Sequence, residues 1–155
     1  IDHSFDVKGV GGVLLGVVKR GNIAIHDKMA CNPSGKELEI RSIQKNDVDE
    51  KEASSTDRVG LSIKGLASKD VHRGEVLSAK PLKTVKELPA SAIAYARFAA
   101  KDSKALNAFH CLQSSPCKLE GGNLIFEKPV ALVEGEPFIF CDLNKKMRVV
   151  GKAAF

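Results

Sequence analysis

Two apolar runs separated by a cluster of glycines open this chain and leave it few ways to fold. Ile1-Asp2-His3-Ser4-Phe5-Asp6-Val7 is followed by Lys8-Gly9-Val10-Gly11-Gly12, and then by Val13-Leu14-Leu15-Gly16-Val17-Val18. A β-rich segment that meets clustered glycines and continues as a second β-branched run must turn tightly, which predicts an antiparallel hairpin of two buried strands. Arg20-Gly21 marks the next turn. Further turn signals follow at His26-Asp27-Lys28, Asn32-Pro33-Ser34-Gly35, Ser54 to Asp57, Lys64-Gly65 and Arg73-Gly74. Short strands broken this often are the pattern of a small antiparallel barrel. Val59, Leu61 and Ile63 alternate with Arg58, Ser62 and Lys64, so the first set is expected inside and the second outside. Leu38 and Ile40 keep the same period but Ile43 is out of phase, and a bulge near Arg41-Ser42 is expected to return it to the core.

Two prolines bracket the Lys-rich stretch Lys80-Pro81-Leu82-Lys83-Thr84-Val85-Lys86-Glu87-Leu88-Pro89, which has little apolar pattern and reads as a boundary. The second unit then opens on Ala92 to Ala99, expected to be a strand in this context. Further strands are expected at Phe109 to Gln113, Asn123 to Phe126, Phe138 to Asp142 and Met147 to Phe155, with turns at Ser114-Ser115-Pro116, Gly121-Gly122-Asn123 and Glu134-Gly135-Glu136-Pro137. The fold class is all-β, two small antiparallel β-barrels in tandem: a barrel over residues 1–79, a linker over 80–89 and a shortened barrel over 90–155.

A length of 155 residues accommodates one core or two small ones, and 43% hydrophobic with 28% charged residues describes a foldable chain. No apolar run nears the roughly 20 residues a spanning helix needs, so no membrane partner is expected. The start shows no signal-peptide pattern and no initiator Met, and the expectation is a piece of a longer protein. Residues 1–79 hold twelve Lys and Arg against twelve Asp and Glu, whereas 80–155 hold twelve against seven, so the whole excess of +5 lies in the second half. Either a polyanionic partner or a solvated basic face accounts for that asymmetry. The cysteines at 31, 111, 117 and 141 lack paired zinc-ligand spacing and disulfide density, and read as reduced, mostly buried thiols of a cytoplasmic protein.

Nucleotide chemistry has no home in the sequence. No GxxxxGK[ST] phosphate loop occurs, Asn144-Lys145-Lys146-Met147 lacks the acid of a guanine-reading motif, and Gly9-Val10-Gly11-Gly12-Val13 has Leu14 where a dinucleotide fingerprint needs glycine. This chain is not expected to hydrolyse GTP by itself.

Five segments in order carry a resemblance: the opening hairpin, Arg41-Ser42-Ile43-Gln44, Asp57-Arg58-Val59-Gly60-Leu61, Lys64-Gly65 and Arg73-Gly74-Glu75-Val76-Leu77. Together they resemble domain II of the elongation factor Tu superfamily of translational GTPases. Ile-Asp-His-Ser-Phe, Arg-Ser-Ile-Gln and Asp-Arg-Val-Gly are similar in particular to the archaeal SelB-like, selenocysteine- or pyrrolysine-associated factors. The second half resembles a shortened domain III more weakly, through Met147 to Phe155, with the family's long loop reduced to about Lys101 to Asn107. Gly12 and Leu15 depart from residues that are commonly Thr in the family.

The resemblance implies an aminoacyl-tRNA-binding fragment that works with its own N-terminal GTPase domain and the ribosome, with GTP and Mg2+ on that separate domain. It places Asp2 and His3 beside the aminoacyl group, Phe5 at the pocket wall, Arg58 at a polar position of the pocket, and Gln44 near the terminal adenine, whose edge an amide can read. Gly9 and Gly11 would admit the backbone close to the terminal nucleotide. Duller readings stand beside each: glycines that only turn the hairpin, Phe5 in the core, Arg58 in a surface salt bridge with Asp2 or Asp57, and Lys64 and Arg73 as phosphate contacts or as solvated turn charges. Two other functions compete, a protein-interaction or regulatory barrel without RNA contact, and a cysteine hydrolase built on Cys111 or Cys117 with His110. His110 and Cys111, adjacent in one strand, would face opposite ways.

Overall fold

The computed structural model describes residues 1–96, 105–146 and 148–154, and the chain divides into two compact units, Ile1–Pro81 and Leu82–Phe155. In the first, β1 (His3–Val7), β2 (Gly11–Val17), β3 (Asn22–Ala24), β4 (Lys28–Asn32), β5 (Lys36–Lys45), β6 (Val48–Glu50), β7 (Glu52–Ser54), β8 (Arg58–Lys64) and β9 (Val76–Ser78) are antiparallel throughout. The main sheet runs β1-β2-β8-β5-β4-β9, with β6 paired to β5 and a separate β3-β7 ribbon. Its two edges meet where the Gly74 N–H donates to the Ile1 carbonyl at 2.8 Å and the Ile1 nitrogen donates to the Glu75 carbonyl at 2.7 Å. Those bonds satisfy edge groups that would otherwise be exposed, and the sheet becomes a barrel.

Period-two alternation fills that barrel. Leu14, Leu38, Ile40, Ile43, Val59, Leu61 and Ile63 are all buried. The β5–β8 register shifts between Ile40 and Ser42, which is the bulge the phase of Ile43 demanded, and Ile43 is fully buried. Ser62 differs from expectation: it lies on the outer face by alternation yet is only 7% exposed, because it sits in register between Val13 and Ser42 in the middle of the sheet.

The second unit contains β10 (Thr84–Pro89), β11 (Ala94–Tyr95), β12 (Ala105–His110), β13 (Gln113–Glu120), β14 (Asn123–Ala131), β15 (Phe138–Cys141) and β16 (Val149–Ala153). Their order is β10-β14-β13-β12-β15-β16-β11. The outermost strands, β10 and β11, are consecutive in sequence and joined by a single 3-10 turn, Ala90–Ala92. So short a connection between opposite edges forces the sheet to curl into a second barrel. Phe138 lies at its centre, stacked between His110 at 4.3 Å and the rings of Phe126 and Phe140 at 5.9 and 6.1 Å.

Several boundaries in this unit depart from the sequence reading. The stretch Phe109 to Gln113 is not one strand, because Cys111 takes a positive φ and the chain turns at Cys111-Leu112. Ser114-Ser115-Pro116 is not a turn but lies inside β13. There the β13–β14 ladder is interrupted and side chains replace it: the Gln113 amide exchanges two 2.8 Å bonds with the Ala131 backbone, and the Ser115 hydroxyl accepts from Lys128 N–H at 3.0 Å. Pro116, which has no N–H to give, is tolerated because β14 makes no demand on it. The expected strand at Ala92 to Ala99 shortens to Ala94–Tyr95 after the 3-10 turn, with residues 97–99 outside the described residues. Of the expected short loop, 101–104 lies outside the described residues and 105–107 belongs to β12. The last strand is Val149–Ala153; Met147 and Phe155 are outside the described residues.

His110 holds the β14–β15 connection. Its Nε2 accepts from the Val133 N–H at 2.9 Å and its Nδ1 lies 3.3 Å from the Pro137 carbonyl, the arrangement of a neutral ring protonated on Nδ1. Burial lowers its pKa from 6.5, against the smaller raising effects of the Pro137 carbonyl and Glu136. The unfolded chain therefore takes up a proton before the folded one does. Stability is fully present above about pH 6.5 and is lost as pH falls below it toward the folded pKa. Amide exchange of β15 is expected to speed between pH 7 and 5.5 once corrected for intrinsic rates, and His110→Gln, which can still accept from Val133, is expected to flatten that dependence.

Candidate functional site

The outer face of β1, β2, β8 and β5 gathers most of the residues singled out in the sequence. With Leu14, Val59, Leu61 and Ile43 turned inward, alternation turns His3, Phe5, Leu15, Val17, Arg58, Gly60 and Gln44 outward. The register places His3 opposite Leu15, Leu15 opposite Gly60 and Gly60 opposite Gln44, a single row across four strands. A Cβ on Gly60 would stand 3.5 Å from Leu15 Cδ2 and 4.0 Å from Gln44 Cβ, so the glycine leaves a shallow hollow in the middle of the row. His3 and Phe5 stand side by side at its β1 end, ring centroids 5.7 Å apart. At the other end the Gln44 amide nitrogen donates to Asp49 Oδ1 at 2.8 Å.

Arg58 sits one row away, opposite Val17. Its Nη2 lies 3.3 Å from Asp2 Oδ2, while Asp2 Oδ1 lies 3.5 Å from Nη2 of Arg73. Of the two counter-ions open to Arg58 in the sequence, the structure selects Asp2. Asp57 is engaged elsewhere: it accepts from Ser54 N–H at 2.9 Å and pairs with Lys45 at 3.3 Å, and these contacts, the backbone one foremost, hold its carboxyl below the usual range. Arg58 and Arg73 side chains are 67% and 69% exposed, so these ion pairs contribute at most about 1 kcal/mol each and leave the guanidinium groups accessible. The link between Arg73 and Asp2 was not visible in the sequence, where the two are separated by most of the unit; only the turn signal at Arg73-Gly74 hinted that Arg73 is presented on a loop.

Gly9 and Gly11 lie at the far tip of the β1–β2 hairpin, with φ of +82° and +97°, and a Cβ at either position would have no neighbour within 4 Å. The left-handed backbone is by itself sufficient reason for glycine there. Lys64 does not join the Arg58 cluster. It ends β8, six residues and roughly 20 Å along the strand from Arg58, in register with Glu39 and beside Lys28 and Glu37 in a shallow depression of mixed charge.

The cysteine-hydrolase reading fails on geometry. Cys111 is exposed in a turn while the His110 ring is buried with its Nε2 lone pair given to Val133, so it is no base for that thiol. Burial pushes the Cys117 thiol up to about 11, away from the nucleophilic thiolate.

Comparison with known proteins bears on the same region. Residues 11–78 match the family described as elongation factor Tu domain 2. Over those residues the first barrel is similar to elongation factor Tu domain 2. An uncharacterised protein of Methanocaldococcus jannaschii is 36% identical over 159 residues, covering 97% of this chain and 51% of that protein. The selenocysteine-specific elongation factor of the same organism is 34% identical over 83 residues, 54% of this chain and 18% of the factor. The chain thus spans about half the length of the first relative and far less of the second. Among solved structures, a bacterial selenocysteine-specific elongation factor superposes with a TM-score of 0.81 at 23% identity over 99% of this chain and 27% of that one. Translation elongation factor SelB from Methanococcus maripaludis, apo form, gives 0.79 at 20% identity over 97% and 40%. At these identities the likeness is one of fold, and it extends beyond domain 2 through the second barrel.

Proposed function

We propose that this chain is the aminoacyl-tRNA-binding portion, domains II and III, of a SelB-like translation elongation factor, and that the longer protein delivers a specialised aminoacyl-tRNA to the ribosome in the cytoplasm. On this reading GTP and Mg2+ are bound by a separate N-terminal GTPase domain, and this chain performs no chemistry. The observation that carries the reading is the row His3–Leu15–Gly60–Gln44 with Asp2 and Arg58 beside it, all on one accessible face. The His3 and Phe5 rings offer a surface on which an unpaired base can stack, and the Gly60 hollow admits its edge toward the Gln44 amide. Asp2, His3 and Arg58 offer hydrogen-bond donors and acceptors to an aminoacyl ester. Gly9, Gly11 and Lys64 line the hairpin end of the same barrel, where Lys64 can meet a phosphate.

The longer protein with GTP is expected to slow hydrolysis of a bound aminoacyl ester. Arg58→Ala is expected to weaken binding of the loaded RNA about tenfold, the worth of one charge-assisted hydrogen bond. Undiminished ester protection in that variant removes Arg58 from the pocket. Binding by this chain is expected to fall as salt rises, through release of counterions from the RNA, and salt-independent binding would count against phosphate contacts.

A second reading is favoured by the apolar side chains on the same hairpin: Phe5, Val7, Val10 and Val17 are 36%, 37%, 42% and 49% exposed. A barrel that docks a protein through this patch would co-purify with a protein and without tRNA.

A further inference from the structure

The carboxylate of Asp2 is shared. One oxygen faces Arg58 and the other faces Arg73, at 3.3 and 3.5 Å, and the two arginines come from β8 and from the turn before β9. The backbone beneath this trio is held firmly. Within the His72–Glu75 turn the Glu75 N–H donates to the His72 carbonyl at 3.1 Å, and the buried Glu75 carboxylate accepts from the His72 N–H at 3.2 Å and from the Cys31 thiol at 2.8 Å. Burial, then Glu75, pushes that thiol up to about 12, so it stays a donor. The same turn is tied to Ile1 by the two closing bonds of the barrel, and Ser4 Oγ donates to the Val71 carbonyl at 2.6 Å. Barrel closure thereby sets how far the root of Arg73 lies from the root of Asp2.

A carboxylate with one guanidinium partner still rotates about its side-chain bonds; a second guanidinium beside the other oxygen, here an ion pair at 3.5 Å, narrows that rotation. Arg58 meets Asp2 through Nη2 alone, so the direction of its remaining donors follows the plane of that carboxylate. We infer that Arg73 is a positioning residue for the aminoacyl-end site, acting through Asp2 as a counter-ion shared with Arg58; this rests on the functional reading above. Arg73 need not touch the aminoacyl group. It orients the carboxylate that orients Arg58.

The test has two parts. In the free chain, the heteronuclear NOE of the Arg58 Nε–Hε group reports how firmly its guanidinium is held. Arg73→Gln is expected to lower it in dilute buffer, and the difference is expected to vanish in 1 M NaCl, where the Debye length is about 3 Å. An unchanged NOE overturns the inference. For binding, a CCA-ended RNA hairpin carrying serine through a non-hydrolysable 3′-amide is titrated against the chain, Arg73→Gln, Asp2→Asn and the double variant. Arg73→Gln is expected to weaken binding about twofold to fivefold when Asp2 is present and not at all in the Asp2→Asn background. Equal loss in both backgrounds means that Arg73 acts on the RNA directly, and no loss in either means that it does not act on the site; both overturn the proposal. If the unmodified chain binds loaded and unloaded hairpins equally, the functional reading fails, while the NOE comparison still decides the linkage from Arg73 to Arg58.

Discussion

Gly151→Ala is expected to destabilise the second barrel by at least about 3 kcal/mol, the upper part of the range for overpacking a site that cannot relax. A Cβ at this position would stand 2.7 Å from the Ala94 carbonyl oxygen, 2.7 Å from Ile93 Cγ2 and 3.1 Å from Tyr95 Cα. Two of these atoms are backbone, so no rotamer change makes room. Gly151 also lies opposite Tyr95 in the β11–β16 pairing, and the Ala96 N–H donates to the neighbouring Val150 carbonyl at 2.8 Å. Since β11 is one of the two edges brought together by the Ala90–Ala92 turn, pushing it away opens the barrel at its seam. Amide exchange of β15 and β16 is expected to accelerate at least a hundredfold, while amides of β2 and β8, in the other unit, keep their rates. Wild-type exchange in β15 would show that β11 is dispensable to the second core.

Phe138→Ala is expected to cost about 3–5 kcal/mol, the usual penalty for emptying a buried aromatic site. Phe138 is fully buried, and three other rings pack on it nearly parallel, with interplanar angles of 14°, 12° and 11°. Its loss removes buried apolar area and a ring that His110, Phe126 and Phe140 all stack against. The His110 bonds to the β14–β15 connection then lose their backing, so the damage should spread to Val133 and Pro137. Urea unfolding followed by β15 and β16 amide signals is expected to shift to a lower midpoint with an unchanged slope. Phe138→Leu, which keeps much of the volume, is expected to lose less than half as much. Similar losses from both would mean that ring stacking rather than volume holds this core.

Much of the first barrel was legible because its information is local. Glycines at 9 and 11 announce a turn wherever they occur, and Val59, Leu61 and Ile63 announce an inner face through a period set by strand geometry alone. The phase of Ile43 even disclosed the bulge at Arg41-Ser42, since a one-residue slip is the cheapest way to return an apolar side chain to the core. In the second barrel the local signals misled. Ser114-Ser115-Pro116 has turn composition but forms strand, because Gln113 and Ser115 reach across to β14 with their side chains and relieve Pro116 of a ladder bond. Cys111 has no turn chemistry yet turns, held in a left-handed conformation by the β12–β13 pairing on either side of it.

The site divides the same way. Parity sufficed to put Arg58, Ser62 and Lys64 on an outer face, and the resemblance brought His3, Phe5, Gln44 and Arg58 together as candidates, with Lys64 among them until the length of β8 set it apart from Arg58. Alternation is a property of each strand by itself, so it can be read before any strand finds its neighbour. Register is not. Only the pairing of β1 with β2, β2 with β8 and β8 with β5 aligned His3, Leu15, Gly60 and Gln44 into one row, and only closure of the barrel through Ile1, Gly74 and Glu75 brought Arg73 to Asp2. Contacts between residues this far apart in sequence are chosen by the free energy of the whole barrel, which no window of the chain contains.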